Sequence, residues 1–156
     1  MRVSKLFKRD SVLLHANVND LNDALEILVE LQENGGVITN GTAYYKAVCE
    51  RERLGGTTAI GDGLALPHAC NAGVAAPGIA ALGLKQGIDW GAADGKPVDL
   101  IFLVAVPPDQ QSLYLQVLAR IVNLLSDPAL VKGLRGAATN AGFIDLIGRA
   151  EAAHFG

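Results

Sequence analysis

The chain lacks a long hydrophobic run, an excess of basic charge and a useful supply of cysteine. Its longest apolar run, Leu100 to Val106, is far short of the ~18 residues that a membrane-crossing helix needs. Arg2, Lys5, Lys8 and Arg9 give the start a basic character, but Leu6 and Phe7 sit isolated among them and no apolar segment of a secretory leader follows. A protein that is not inserted in a membrane and stays in the cytoplasm is the expectation. Lysine and arginine together number 13 against 16 acidic residues, for a net charge of -3. That balance provides no cationic field for nucleic acid, which is excluded as a partner. Cys49 and Cys70 cannot form a disulfide framework and are expected as free thiols. Internal repeats, low-complexity tracts and hydrophilic linkers are also missing, so residues 1–156 are read as a single domain.

What the chain has is core-forming material: half of its residues are hydrophobic and 19% charged, a balance that excludes intrinsic disorder. From Asn19 to Gln32, capping Asn/Asp residues precede Leu21, Leu25, Leu28 and Leu31 at helical spacing, and Asn34-Gly35-Gly36 ends the pattern. A second helix is expected over about Thr42 to Arg53. Glycines then punctuate Gly55 to Ala76, which excludes a long helix there. Gly78 to Lys85 and Val98 to Val106 read as strands, the second central because its Val/Leu/Ile/Phe content calls for cover on both faces. After Pro107-Pro108, Leu113, Val117, Leu118, Ile121, Leu124 and Leu125 recur with helical period, and further helices are expected over Pro128 to Leu134 and Asn140 to Ala153. The elements form helix-sheet-helix layers, an α/β fold.

The chemistry concentrates in Arg51-Glu52-Arg53-Leu54-Gly55-Gly56-Thr57 and Ile60-Gly61-Asp62-Gly63-Leu64-Ala65-Leu66-Pro67-His68-Ala69. This ordered pair of segments resembles the type-2 enzyme IIA family of the bacterial phosphoenolpyruvate-dependent phosphotransferase system. The likeness extends through Asn22-Asp23-Ala24-Leu25, Gly87-Ile88-Asp89-Trp90, Asp94-Gly95-Lys96-Pro97-Val98 and Leu124-Leu125-Ser126-Asp127, and so covers essentially the whole chain. It implies a mixed β-sheet flanked by helices on both faces, an α/β/α sandwich, and a phosphocarrier that needs no cofactor. His68 is implied as the phosphoryl acceptor through Nε2, with the other ring nitrogen oriented by the protein. Imidazole suits a phosphocarrier because it is mostly uncharged near neutrality, nucleophilic, and holds the phosphoryl group loosely enough to pass it on.

Arg51 and Thr57 occupy family positions where a guanidinium and a hydroxyl can meet phosphoryl oxygens. Each also has an ordinary explanation, Arg51 as a helix-end cation and Thr57 as a turn residue. Tyr114 departs from the pattern, because many members carry a second histidine there. A phenol still donates a hydrogen bond but does not become a cation near neutrality, and packing at a helix start is its bland alternative. His15 and His154 are expected as plain surface residues, the latter in a frayed tail. A metal site at His68-x-Cys70 is rejected for want of a second His/Cys pair at zinc-like spacing; Cys70 is read as a small hydrophobe. The implied partners are phospho-HPr or its nitrogen-system relative as donor, and an enzyme IIB or a regulatory target as recipient. Within these residues no IIB, IIC or HPr segment follows, so the resemblance is strongest to the stand-alone nitrogen-regulatory branch. The competing reading is a transfer-impaired, protein-binding regulator with a vestigial His68.

Overall fold

In the computed structural model, which describes residues 1–155, the residues of the expected central strand point alternately to two cores from Leu100 onward. This strand, Val98–Val106, sends Leu100, Phe102, Val104 and Val106 to one face and Ile101, Leu103 and Ala105 to the other. A strand buried on both faces has no use for polar residues, which accounts for its apolar run.

In chain order, a 3-10 turn over Val3–Leu6 leads into β1 (Phe7–Ala16), α1 (Leu21–Asn34) and α2 (Gly41–Leu54). Three short strands follow, β2 (Ala59–Gly61), β3 (Leu64–Ala65) and β4 (His68–Cys70), then β5 (Gly78–Ile88) and β6 (Val98–Val106). Three helices close the described chain: α3 (Gln111–Leu125), α4 (Pro128–Arg135) and α5 (Asn140–Phe155). The six-stranded sheet runs β1-β5-β6-β3-β2, with β4 also paired to β6. It is mixed: β1 lies parallel to β5, β5 antiparallel to β6, and β3 and β4 parallel to β6. Helices α1 and α2 cover one face through Leu25, Leu28, Tyr44 and Val48, while α3, α4 and α5 cover the other through Val117, Ile121, Leu134 and Phe143. The expected α/β/α sandwich is the observed fold.

Side-chain caps start three of the helices. Asp20, Asn40 and Asp127 each accept a backbone N–H from the first turn, satisfying donors that the helix itself leaves free. After α1, Gly36 and not Gly35 takes the left-handed conformation, at φ 77°.

Two expectations need correction. Strand β1 has no counterpart among the expected elements: Lys8, Arg9 and Asp10 are exposed, its register against β5 is broken twice, and His15 has a φ of 56°, so no clean alternation marks it. The described residues of the C-terminal tail are helical, since α5 continues to Phe155 and places His154 Nε2 3.8 Å from Asp127. His15 is exposed as expected, with Nε2 donating to the Ala137 carbonyl at 3.0 Å.

The first and last described residues are tied down together. The buried Glu151 carboxylate of α5 accepts the N–H groups of Val3 and Ser4 at 2.6 and 2.7 Å. Arg120 of α3 donates to the Met1 carbonyl at 2.8 Å and lies over the Phe155 ring, 4.4 Å from its centroid. No helix among the described residues is long and apolar enough to cross a membrane.

Candidate functional site

Strand β4 is only three residues long, yet it is pinned beside the end of β6. His68, Ala69 and Cys70 pair with Val104, Ala105 and Val106, and the Pro67 carbonyl accepts the Val104 N–H at 3.1 Å. Alternation along β4 buries Ala69 against α2 and leaves His68 and Cys70 half-exposed on the opposite side. This explains why a histidine here is both held and reachable.

The ring of His68 is oriented from behind. Its Nδ1 lies 2.7 Å from the Leu66 carbonyl. A carbonyl only accepts, so Nδ1 carries the proton and Nε2 keeps its lone pair. Burial holds the imidazole below its usual pKa and the Arg51 charge adds to this, whereas the Leu66 hydrogen bond and Glu52 act in the opposite direction. The outcome is a neutral imidazole held in one orientation at neutral pH.

Tyr114, in the first turn of α3, meets His68 edge to face with ring centroids 5.9 Å apart. The structure therefore brings together the two positions that the sequence pairs. Burial, reinforced by Cys70, raises the Tyr114 pKa, so the phenol keeps its proton and remains a donor. Cys70 Sγ donates to the Pro107 carbonyl at 3.4 Å and receives the Gln111 side-chain N–H at 3.3 Å. Both cysteines are free thiols.

Arg51 lies in the last turn of α2, near enough for its charge to act on both His68 and Tyr114. Its guanidinium folds over the following turn and donates to the Gly56 carbonyl at 2.9 Å. The turn needs glycine at Gly56, which has φ 80°, while a Cβ on Gly55 would come within 2.5 Å of Arg51 Nη1 and displace the guanidinium. Thr57 is more committed to structure than its sequence position suggests. Its hydroxyl donates to the Trp90 carbonyl at 2.9 Å and accepts the Ala59 N–H at 3.1 Å. It borders a separate cleft of about 800 Å³ that also includes Tyr45, Cys49 and Trp90 but not His68.

Residues 5–150 match the family described as "Phosphoenolpyruvate-dependent sugar phosphotransferase system, EIIA 2". The chain belongs to the EIIA type 2 family. This EIIA chain is 34% identical over 137 residues to a nitrogen regulatory protein of Bradyrhizobium diazoefficiens, covering 86% of the present chain and 87% of that one. It is 29% identical over 147 residues to the fructose-specific EIIABC component of Bacillus subtilis, covering 94% of this chain but spanning only 23% of that relative's length. In three dimensions it superposes on nitrogen regulatory protein IIA-Ntr of Neisseria meningitidis with a TM-score of 0.86, at 24% identity over 93% of this chain and 98% of the other.

Two contributors to the EIIA site carry no functional signal in the sequence. The Leu66 carbonyl is a backbone atom, invisible to any search for reactive side chains. Tyr44 is buried on the inner face of α2 and donates to the carbonyl of Val104, the residue paired with His68, at 2.8 Å. Only its place four residues before Val48, on the same helix stripe, hints that it faces inward.

Proposed function

We propose that this EIIA protein is a phosphocarrier and that His68 is its acceptor. The observation that carries the reading is the 2.7 Å contact from Nδ1 to the Leu66 carbonyl, which leaves the Nε2 of a half-exposed ring unprotonated. The donor is phospho-HPr or its nitrogen-system relative. The Nε2 lone pair attacks phosphorus, a new N–P bond forms, and the donor's N–P bond breaks with its electron pair returning to the donor imidazole. Transfer of this kind depends on in-line placement and on charge stabilisation at the equatorial oxygens. Tyr114 supplies a hydrogen bond to those oxygens. Arg51 supplies positive charge after exchanging the Gly56 carbonyl for a phosphoryl oxygen. Thr57 contributes through the turn it braces, since its hydroxyl proton is held by the Trp90 carbonyl.

The phosphoryl group then passes to an enzyme IIB or, in the nitrogen-regulatory manner, alters which target the protein binds. The similarity to the Bradyrhizobium regulatory protein over nearly its whole length supports the regulatory branch. Such an exchange takes place in the cytoplasm, where the donor is found. A local gain of about two negative charges beside β4 is enough to change partner choice.

Incubation with phosphoenolpyruvate, enzyme I and HPr, read by intact mass, is expected to give one acid-labile phosphoryl group that disappears in His68→Ala. Absence of label in the wild type with both HPr types would sink the proposal. It would favour the second reading, a protein-binding regulator impaired in transfer, for which Tyr114 in place of a second histidine is the specific observation.

A further inference from the structure

The contact that orients His68 does not end at Leu66. The Leu66 N–H donates to the Thr58 carbonyl at 3.0 Å, and the Thr58 N–H donates to Glu52 Oε2 at 3.2 Å. The Thr58 hydroxyl donates to Glu52 Oε1. Trp90 Nε1 adds a third donor, 3.4 Å from Glu52 Oε1 and 3.3 Å from the Thr58 hydroxyl oxygen. Thr58 and Trp90 are both buried, while Glu52 itself is half-buried where it borders the cleft beside Trp90. Three donors converge on one carboxylate, a group that only accepts. A continuous chain of hydrogen bonds therefore runs from the last turn of α2 to the Nδ1 proton of His68.

We infer that Glu52 is a positioning residue for His68, fixing through Thr58 and Leu66 the ring orientation that leaves Nε2 free. The inference rests on the acceptor reading of His68 given above. Glu52 does not touch the reacting atoms. It locks the turn between α2 and β2, and that turn carries the carbonyl on which the Leu66 segment hangs. Arg51 and Glu52 thus divide the work of one helix end, with the cation on the Gly56 carbonyl and the anion on Thr58 and Trp90. The Glu52 charge also acts on His68 directly, opposing the effects of burial and Arg51.

The amide in Glu52→Gln preserves shape but presents one acceptor and two donors to a cluster of donors, so one contact must break. The test is nitrogen NMR of the His68 ring at a pH where the ring is neutral, together with the rate of phosphohistidine formation. Wild type is expected almost wholly as the Nδ1–H tautomer. Glu52→Gln is expected to show a mixed population and a rate lower by about tenfold, the scale of a small misplacement of a reacting group. Glu50→Gln, which removes the same charge from an exposed position of the same helix, is expected to leave both readouts unchanged. If Glu52→Gln lowers only the melting temperature and keeps the wild-type tautomer, its role is structural and the inference is overturned. Equal effects from both variants would also overturn it, by assigning the change to long-range charge. The tautomer is read without any phosphoryl donor, so a failure of the carrier reading is told apart from a failure of this one.

Discussion

The two nitrogens of His68 are treated differently. Nδ1 is spent on the Leu66 carbonyl and Nε2 is left unprotonated, as the proposed acceptor role requires. Burial and Arg51 keep the ring below the ordinary imidazole pKa of about 6.5. The rate of phosphoryl acceptance should therefore hold its plateau from neutrality down past about pH 6.5 and fall only as the ring protonates, and an NMR titration of His68 should give a midpoint under that value; a midpoint above it would contradict the burial argument. The same shift has a sign for stability. The unfolded chain takes up this proton more readily than the folded one, so the His68 contribution is complete above about pH 6.5 and falls away as pH drops toward the folded midpoint. Tyr114→Phe keeps the ring contact with His68 but removes the phenol. Loss of one hydrogen bond to a charged group, about 1.5 kcal/mol, should slow acceptance roughly tenfold with little change in melting temperature. His68 and Arg51 stand out in the sequence because a motif surrounds them, and Tyr114 because it stands where many family members carry a second histidine. Leu66 and Tyr44 are not, because one acts through its backbone and the other resembles any inward-facing aromatic.

Among the elements, legibility follows length and regularity; β1 has ten residues, but its broken register hides any alternation. Helices α1, α2, α3 and α5 have 14 to 16 residues, long enough for a 3.6-residue period to show, and the caps of α1 and of the shorter α4 are written in Asp. Strands β2, β3 and β4 have three, two and three residues, too few for any alternation to stand out from a glycine-rich loop. Strands β3 and β4 exist because β6 offers an edge to pair with, a tertiary cause that local sequence does not carry. The caps make a direct test. The Asp127 side chain accepts the Ala129 N–H at 2.9 Å just ahead of Pro128. Asp127→Ala should cost about 1 kcal/mol in chemical denaturation while leaving phosphorylation of His68 unaffected.

At the scale of the molecule, the sheet separates two cores with different contents. The face under α3 and α5 holds a triangle of Phe7, Phe102 and Phe143 with centroid separations of 5.9–6.4 Å, while the face under α1 and α2 is mainly aliphatic around Tyr44 and Trp90. Phe143 is fully buried, and Phe143→Ala should destabilise the fold by about 3–5 kcal/mol, measured by urea unfolding. Composition announces that a large core will form; it cannot announce which aromatics will meet, since Phe7 lies 95 residues before Phe102 in the chain.

Arg120 holds the carbonyl of residue 1 and the ring of residue 155 at the same time. Two stretches far apart in sequence are thereby clasped by one side chain, so a cut in the backbone elsewhere does not by itself release them from each other. A single nick in the exposed turn at Ala93-Asp94-Gly95 is expected to leave the sheet order, both cores and the surroundings of His68 in place.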